Sequence, residues 1–174
     1  MPNDSDSEVD RLLRAYAAGE VGREELVRVV RGSAAKESTL PELLARVFPD
    51  LPLRWRRVRV SVRQIVATEQ HLERPKYRLV EALFPSADSF ERIDRELFPG
   101  FPLTGVSLGD GRVAIVDGHH RLRRFCELAP PDATLEVKLL TTEASQIHSS
   151  YLQQVEAVET ANGSAAILDL PIKP

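Results

Sequence analysis

A single cysteine, Cys126, is too few for an intramolecular disulfide, which excludes the stapled frameworks of small secreted domains. No uninterrupted apolar run is long enough to span a bilayer. The first ten residues are acidic instead of a basic start followed by an apolar stretch, so secretion has no support. Positive charge is not in excess either: 23 Lys and Arg against 26 Asp and Glu leave a formal net charge of −3. That balance gives no global attraction to nucleic acid, and any such contact would need a local basic patch. Internal repeats and low-complexity tracts are absent. A cytoplasmic, soluble chain with no membrane association is the expectation.

What is present is enough apolar material for a core. With 174 residues, 43% of them hydrophobic, the chain is read as one main domain with appendages. The divisions fall at 1–52, a helical extension; 53–141, the main domain; and 142–174, a C-terminal helix and tail. Val9, Leu12, Leu13 and Tyr16 recur at helical spacing as far as Gly19, and residues 23–30 repeat the pattern up to Gly32. Ser38-Thr39-Leu40-Pro41-Glu42 reads as a cap with proline in the first turn of a third helix. The extension could embrace the core, bind a partner or form a homodimer surface, and periodicity does not separate these.

From Val58 to Val62 the period changes to two, a strand, and the polar stretch Ala67-Thr68-Glu69-Gln70-His71 leaves its end. Residues 77–84 and 90–98 have helical spacing, with a break at Pro85 and a capping Ser86–Ser89 turn between them. Residues 103–108 and 112–116 flank Gly109-Asp110-Gly111, a hairpin signal. A strand is expected over Leu135–Leu140 and a helix over Ile147–Val158; the tail from Asn162 is left unassigned. The alternation of elements gives an α+β fold class.

The hairpin runs straight into Asp117-Gly118-His119-His120-Arg121, and Leu122, Phe125 and Leu128 then recur at helical spacing. The polar group therefore lies at a strand-to-helix junction, where Gly118 permits a tight turn or positive φ. The first amides of a helix have no intrahelical partners and lie at the positive end of its dipole, a natural anion seat. Arg121 could hold phosphate oxygens in a planar fork. The plainer alternative is a helix start capped by Asp117 with incidental surface histidines. On the anion reading, Asp117 and Arg121 line the deepest polar pocket. Around Trp55, Arg54, Arg56, Arg57, Arg59 and Arg63 form the one basic cluster. Their alternation with Val58, Val60 and Val62 reads more simply as the polar face of a half-buried strand than as a nucleic-acid patch. His71 and His148 have no partner at metal-ligand spacing. A transition-metal site would need the His119–His120 pair, Asp117 and a nearby His71. Cys126 is expected to pack, not react.

Val116-Asp117-Gly118-His119-His120-Arg121, preceded by a strand and Thr68-Glu69-Gln70-His71, resembles the ParB/sulfiredoxin superfamily over roughly residues 58–140. The resemblance implies a small mixed sheet flanked by helices. Sulfiredoxins have cysteine in the equivalent turn where this chain has His119, so sulfinic-acid reductase activity is not expected. Partition ParB proteins show Gly-Glu-Arg-Arg there and continue into a helix-turn-helix domain, for which too little chain follows Leu140. The motif is most similar to that of free L-serine kinases of this superfamily. That resemblance implies Glu69 as catalytic base on a substrate hydroxyl, with Asp117 and His120 also catalytic. It implies Gly118, His119, His120 and Arg121 at the phosphates of ATP or ADP, Gln70 and His71 at the acceptor, and Asp117 at Mg2+. Charge neutralisation, a divalent ion and an oriented hydroxyl are what phosphoryl transfer requires. The leading expectation is a nucleotide-dependent phosphotransferase; a ParB-like nucleotide switch engaging a protein or DNA partner is the second, and a metal-dependent nuclease the third.

Overall fold

The structure, a computed structural model, describes residues 4–34, 54–107, 111–140 and 167–174. The first two apolar patterns fold as α1 (Asp4–Ala17) and α2 (Arg23–Ala34), with Gly19 at φ 73° in the turn between them. Glu24 and Glu25 begin α2 and Arg31 lies in its last turn, the charge order its dipole favours. Both helices pack on α3 (Arg74–Leu83), and Val9, Leu26, Val27 and Val30 join the same buried cluster as the sheet. The helix expected from Ser38, the Pro49–Pro52 segment, His148 and the helix expected over Ile147–Val158 lie outside the described residues.

The strands are β1 (Trp55–Ser61), β2 (Ile65–Ala67), β3 (Leu72–Glu73), β4 (Thr104–Ser107), β5 (Val113–Asp117), β6 (Thr134–Leu140) and β7 (Ile172–Lys173). Two further helices are α4 (Phe90–Leu97) and α5 (His119–Leu128). Five strands form a mixed sheet in the order β1-β6-β4-β5-β2, with β1–β6 and β4–β5 antiparallel and β6–β4 and β5–β2 parallel. The α+β class and the mixed sheet flanked by helices are therefore as expected. So is the β4–β5 hairpin, whose tip at 108–110 lies outside the described residues.

One element departs from expectation. The strand expected at Val58–Val62 begins three residues earlier, at Trp55, and ends at Ser61, which caps a single 3-10 turn at Val62–Gln64. The chain then enters β2, and the polar stretch leaves β2 instead. Ile65, Val66 and Ala67 are all buried, and a strand covered on both faces has no alternation for a period-two search to detect.

On β1 the arginines are the strand's polar face. Arg57 pairs with Glu136 at 2.7 Å, Arg59 with Glu91 at 2.8 Å, and Arg63 donates to the Pro131 carbonyl at 3.1 Å. Beneath the sheet, Phe90 stacks at a tilt on Phe84 at 5.0 Å and on Phe125 at 4.8 Å. Each buried ring or branched side chain of this kind stabilises the fold by about 1.5–3 kcal/mol. Together with fully buried Leu122, these rings fix the base of α5, and hence the position of its first turn.

Candidate functional site

Parallel register builds the site. Ala67 of β2 lies opposite Ile115 of β5, so Glu69 and Asp117, each two residues farther along, leave the same edge of the sheet. Between β5 and α5, Gly118 takes φ 93° and ψ 21°. A Cβ there would come within 2.4 Å of Leu103 Cδ2 and 3.1 Å of Arg121 Nη2, so the turn requires glycine on grounds of both conformation and space. No side chain caps α5, Asp117 included, and its first intrahelical bond runs from Leu122 N–H to the Gly118 carbonyl at 2.9 Å. The amides of His119, His120 and Arg121 precede that bond, at the positive end of the helix.

The two adjacent imidazoles do the same job on two different partners. His119 Nε2 accepts the Thr68 amide at 3.0 Å, and His120 Nε2 accepts the Glu73 amide at 3.0 Å. Each ring thereby holds one end of the loop that connects β2 to α3. An Nε2 that accepts an N–H places the proton of the neutral ring on Nδ1. For His119, whose side chain is wholly buried, Nδ1 lies 3.3 Å from Glu69 Oε1 without an aligned hydrogen-bond acceptor. For His120, burial first and then the charge of Lys76 push the pKa down to about 4, so the ring is neutral at pH 7. The phosphate-binding role expected of the two rings is therefore corrected. Their Nε2 atoms are committed to backbone amides, which also denies a transition metal that nitrogen from each. Among the described residues no group of three or more His, Cys, Asp or Glu could hold a metal ion.

Arg121 is the second correction. Expected to fork phosphate oxygens, it lies 4% exposed, with Nη1 2.5 Å from Asp94 Oδ1, Nη2 donating to the Phe101 carbonyl at 2.6 Å, and the guanidinium 4.5 Å above the Phe98 ring. Asp94, on α4, is pushed up by burial against the pull of Arg121, and the nearby charge of Asp117 adds to the rise. The motif arginine thus joins α4 to α5 inside the core. Sequence could not show this, because its partner lies 27 positions earlier on a helix whose packing only the tertiary fold defines.

Glu69 stays half-exposed, its side chain 42% accessible. Burial pushes its carboxyl up, but the closeness of His119 and the charges of His120 and Lys76 outweigh that and hold it below the ordinary carboxylate range. It is ionised at neutral pH and able to accept a proton. Gln70 and His71 are exposed in the loop beside it. Lys76 lies in the first turn of α3. It is the cation whose field reaches both Glu69 and His120, and the only sequence signal for it was its distance of seven residues from Glu69. Asp117 is partly exposed, and among the described residues its side chain makes no hydrogen bond or ion pair. Cys126 is half-buried, its thiol pushed up to about 12 by burial, as suits packing.

Two of the cavities among the described residues are not lined by Asp117 or Arg121. The larger, about 690 Å3, lies between α1, α2 and α3, with Glu73 and Lys76 in its wall. The smaller, about 50 Å3, lies beside Asp94 and Phe98. Comparison with known proteins gave no matching family model, curated protein or solved structure. No helix among the described residues is long and apolar enough to cross a membrane.

Proposed function

We propose that this chain is a nucleotide-dependent phosphotransferase acting on a small-molecule hydroxyl, on a ParB/sulfiredoxin-like domain. The observation that carries the reading is the placement of an ionised, half-exposed Glu69 3.3 Å from the buried His119 Nδ1, at the start of α5. A base for an incoming hydroxyl and a seat for phosphate oxygens then share one edge of the sheet. The roles differ from those implied by the motif alone. The amides of His119, His120 and Arg121 face the phosphates, Lys76 supplies positive charge, and both imidazoles hold the loop on which Glu69 is carried. The Arg121 guanidinium acts only through the core. Magnesium, when bound with the nucleotide, would neutralise charge on the transferred group, and Asp117 is the carboxylate that would hold it. The acceptor oxygen attacks the terminal phosphorus, the bond to the leaving phosphate oxygen breaks, and the hydroxyl proton passes to Glu69.

The test is phosphorus NMR with magnesium and ATP, ADP or CTP, with and without a pool of amino acids and sugars. Acceptor-dependent transfer is expected. Glu69→Ala should abolish it while leaving nucleotide affinity by calorimetry nearly unchanged, because the base acts on the acceptor and not on phosphate binding. Binding without turnover in the wild type would favour a nucleotide switch, which needs phosphate contacts but no base. Wild-type turnover in the Glu69 variant would remove its role.

A further inference from the structure

We propose that residues 167–174 are a strap that fixes the Glu69-bearing loop, and that Arg123 is the positioning residue holding the strap. The catalytic consequence rests on the phosphotransferase reading; the mechanical one does not.

The loop from Thr68 to Glu73 is short and leaves three amides to be satisfied near its ends. Two are taken by the imidazoles, at Thr68 and Glu73. The third, the Leu72 amide, donates to the Pro171 carbonyl at 2.9 Å. Leu72 and Glu73 are in parallel register with Ile172 and Lys173. Two residues per strand make a ladder too small to hold by itself, so the stability of the β3–β7 pair must come from what anchors the tail. Part of that anchor is apolar: Ile167 and Leu170 are each 3% exposed.

The rest is Arg123. From α5 its Nη1 donates to three carbonyls of one tail turn, those of Ile167 at 3.0 Å, Leu168 at 2.5 Å and Leu170 at 3.3 Å. Its Nε meets Glu127 Oε1 at 2.7 Å, and Glu127 also accepts the Tyr77 hydroxyl from α3. One guanidinium therefore joins the tail to α5 and, through Glu127, to the helix that begins where the loop ends. His119 and His120 grip the loop from the N-terminal turn of α5, and Arg123 grips the strap from the next turn. Both ends of the loop are referred to one rigid helix. That is an arrangement for holding a side chain in place, since displacement of a reacting group by about 1 Å can cost about a hundredfold in rate.

Amide hydrogen exchange on the full-length protein tests the mechanical claim without any ligand, comparing wild type with Arg123→Ala, Arg123→Lys and Leu170→Asp. In Arg123→Ala and Leu170→Asp, the Leu72 and Glu73 amides should lose about tenfold or more of their protection while the Leu26 and Val137 amides keep theirs, the mark of local opening. Arg123→Lys should restore part of it. In the phosphotransfer assay the same two variants should lower kcat with nucleotide KM unchanged, a split that general loosening would not give. Wild-type protection at Leu72 and Glu73 in both variants overturns the strap. A wild type with no turnover overturns the phosphotransferase reading alone and leaves the exchange result to decide this one.

Discussion

Acidification should destabilise the protein through His120. Burial and the neighbouring charge of Lys76 lower the ring's pKa from 6.5 to about 4, and its Nε2 is occupied by the Glu73 amide. In the unfolded chain the ring titrates at its ordinary value, so between pH 6.5 and 4 the unfolded state binds a proton that the folded state refuses. The associated stability is complete above pH 6.5, declines as the pH falls, and is gone below about 4. At about 1.4 kcal/mol per pH unit the interval is worth about 3 kcal/mol. Urea unfolding at pH 7, 6, 5 and 4 would measure it, with His120→Gln as the reference. The variant keeps an acceptor for the Glu73 amide but cannot titrate, and the remaining ionisable groups are common to both proteins. The wild type should lose about 3 kcal/mol more than the variant across that range. Equal losses, or an imidazole that titrates near 6.5 in the folded state by NMR, would refute the reasoning.

Three further outcomes follow from the same geometry. Arg121→Ala leaves Asp94 buried without its partner and should cost about 3–5 kcal/mol in denaturant unfolding; a loss below about 1 kcal/mol would mean the pair is not enclosed. Gly118→Ala forces a Cβ into a left-handed turn and against Leu103, and should cost about 1–3 kcal/mol by thermal unfolding, whereas an unchanged melting temperature would contradict the positive φ. Cys126, its thiol pushed up to about 12, should react slowly with iodoacetamide at pH 8 in the native protein and readily in urea; fast native labelling would show that the thiol is not shielded.

The sequence by itself determined the elements whose signal is local. The helical spacing of Val9, Leu12, Leu13 and Tyr16, the Gly-Asp-Gly hairpin, the glycine at the strand-to-helix turn and the alternation that makes the β1 arginines a polar face are all properties of neighbours along the chain. They suffice for an α+β plan and for bringing Asp117 and His119 to one junction. What lay beyond them depended on residues distant in sequence. The uniformly buried β2 has no alternation to read, and without it the parallel register that puts Glu69 beside Asp117 cannot be known. Arg121 and a phosphate ligand have the same side chain; only the packing of Asp94 and Phe98 around it assigns the guanidinium to the core. The two histidines look alike in sequence, yet the amides of Thr68 and Glu73 turn them into fasteners, because hydrogen-bond partners are chosen by tertiary proximity and not by residue type. Tail docking, too, rests on buried Ile167 and Leu170 and on an arginine meeting backbone carbonyls 44 to 47 positions away. Local chemistry marks where a site can be, and long-range packing decides which of its charges remain open to a ligand.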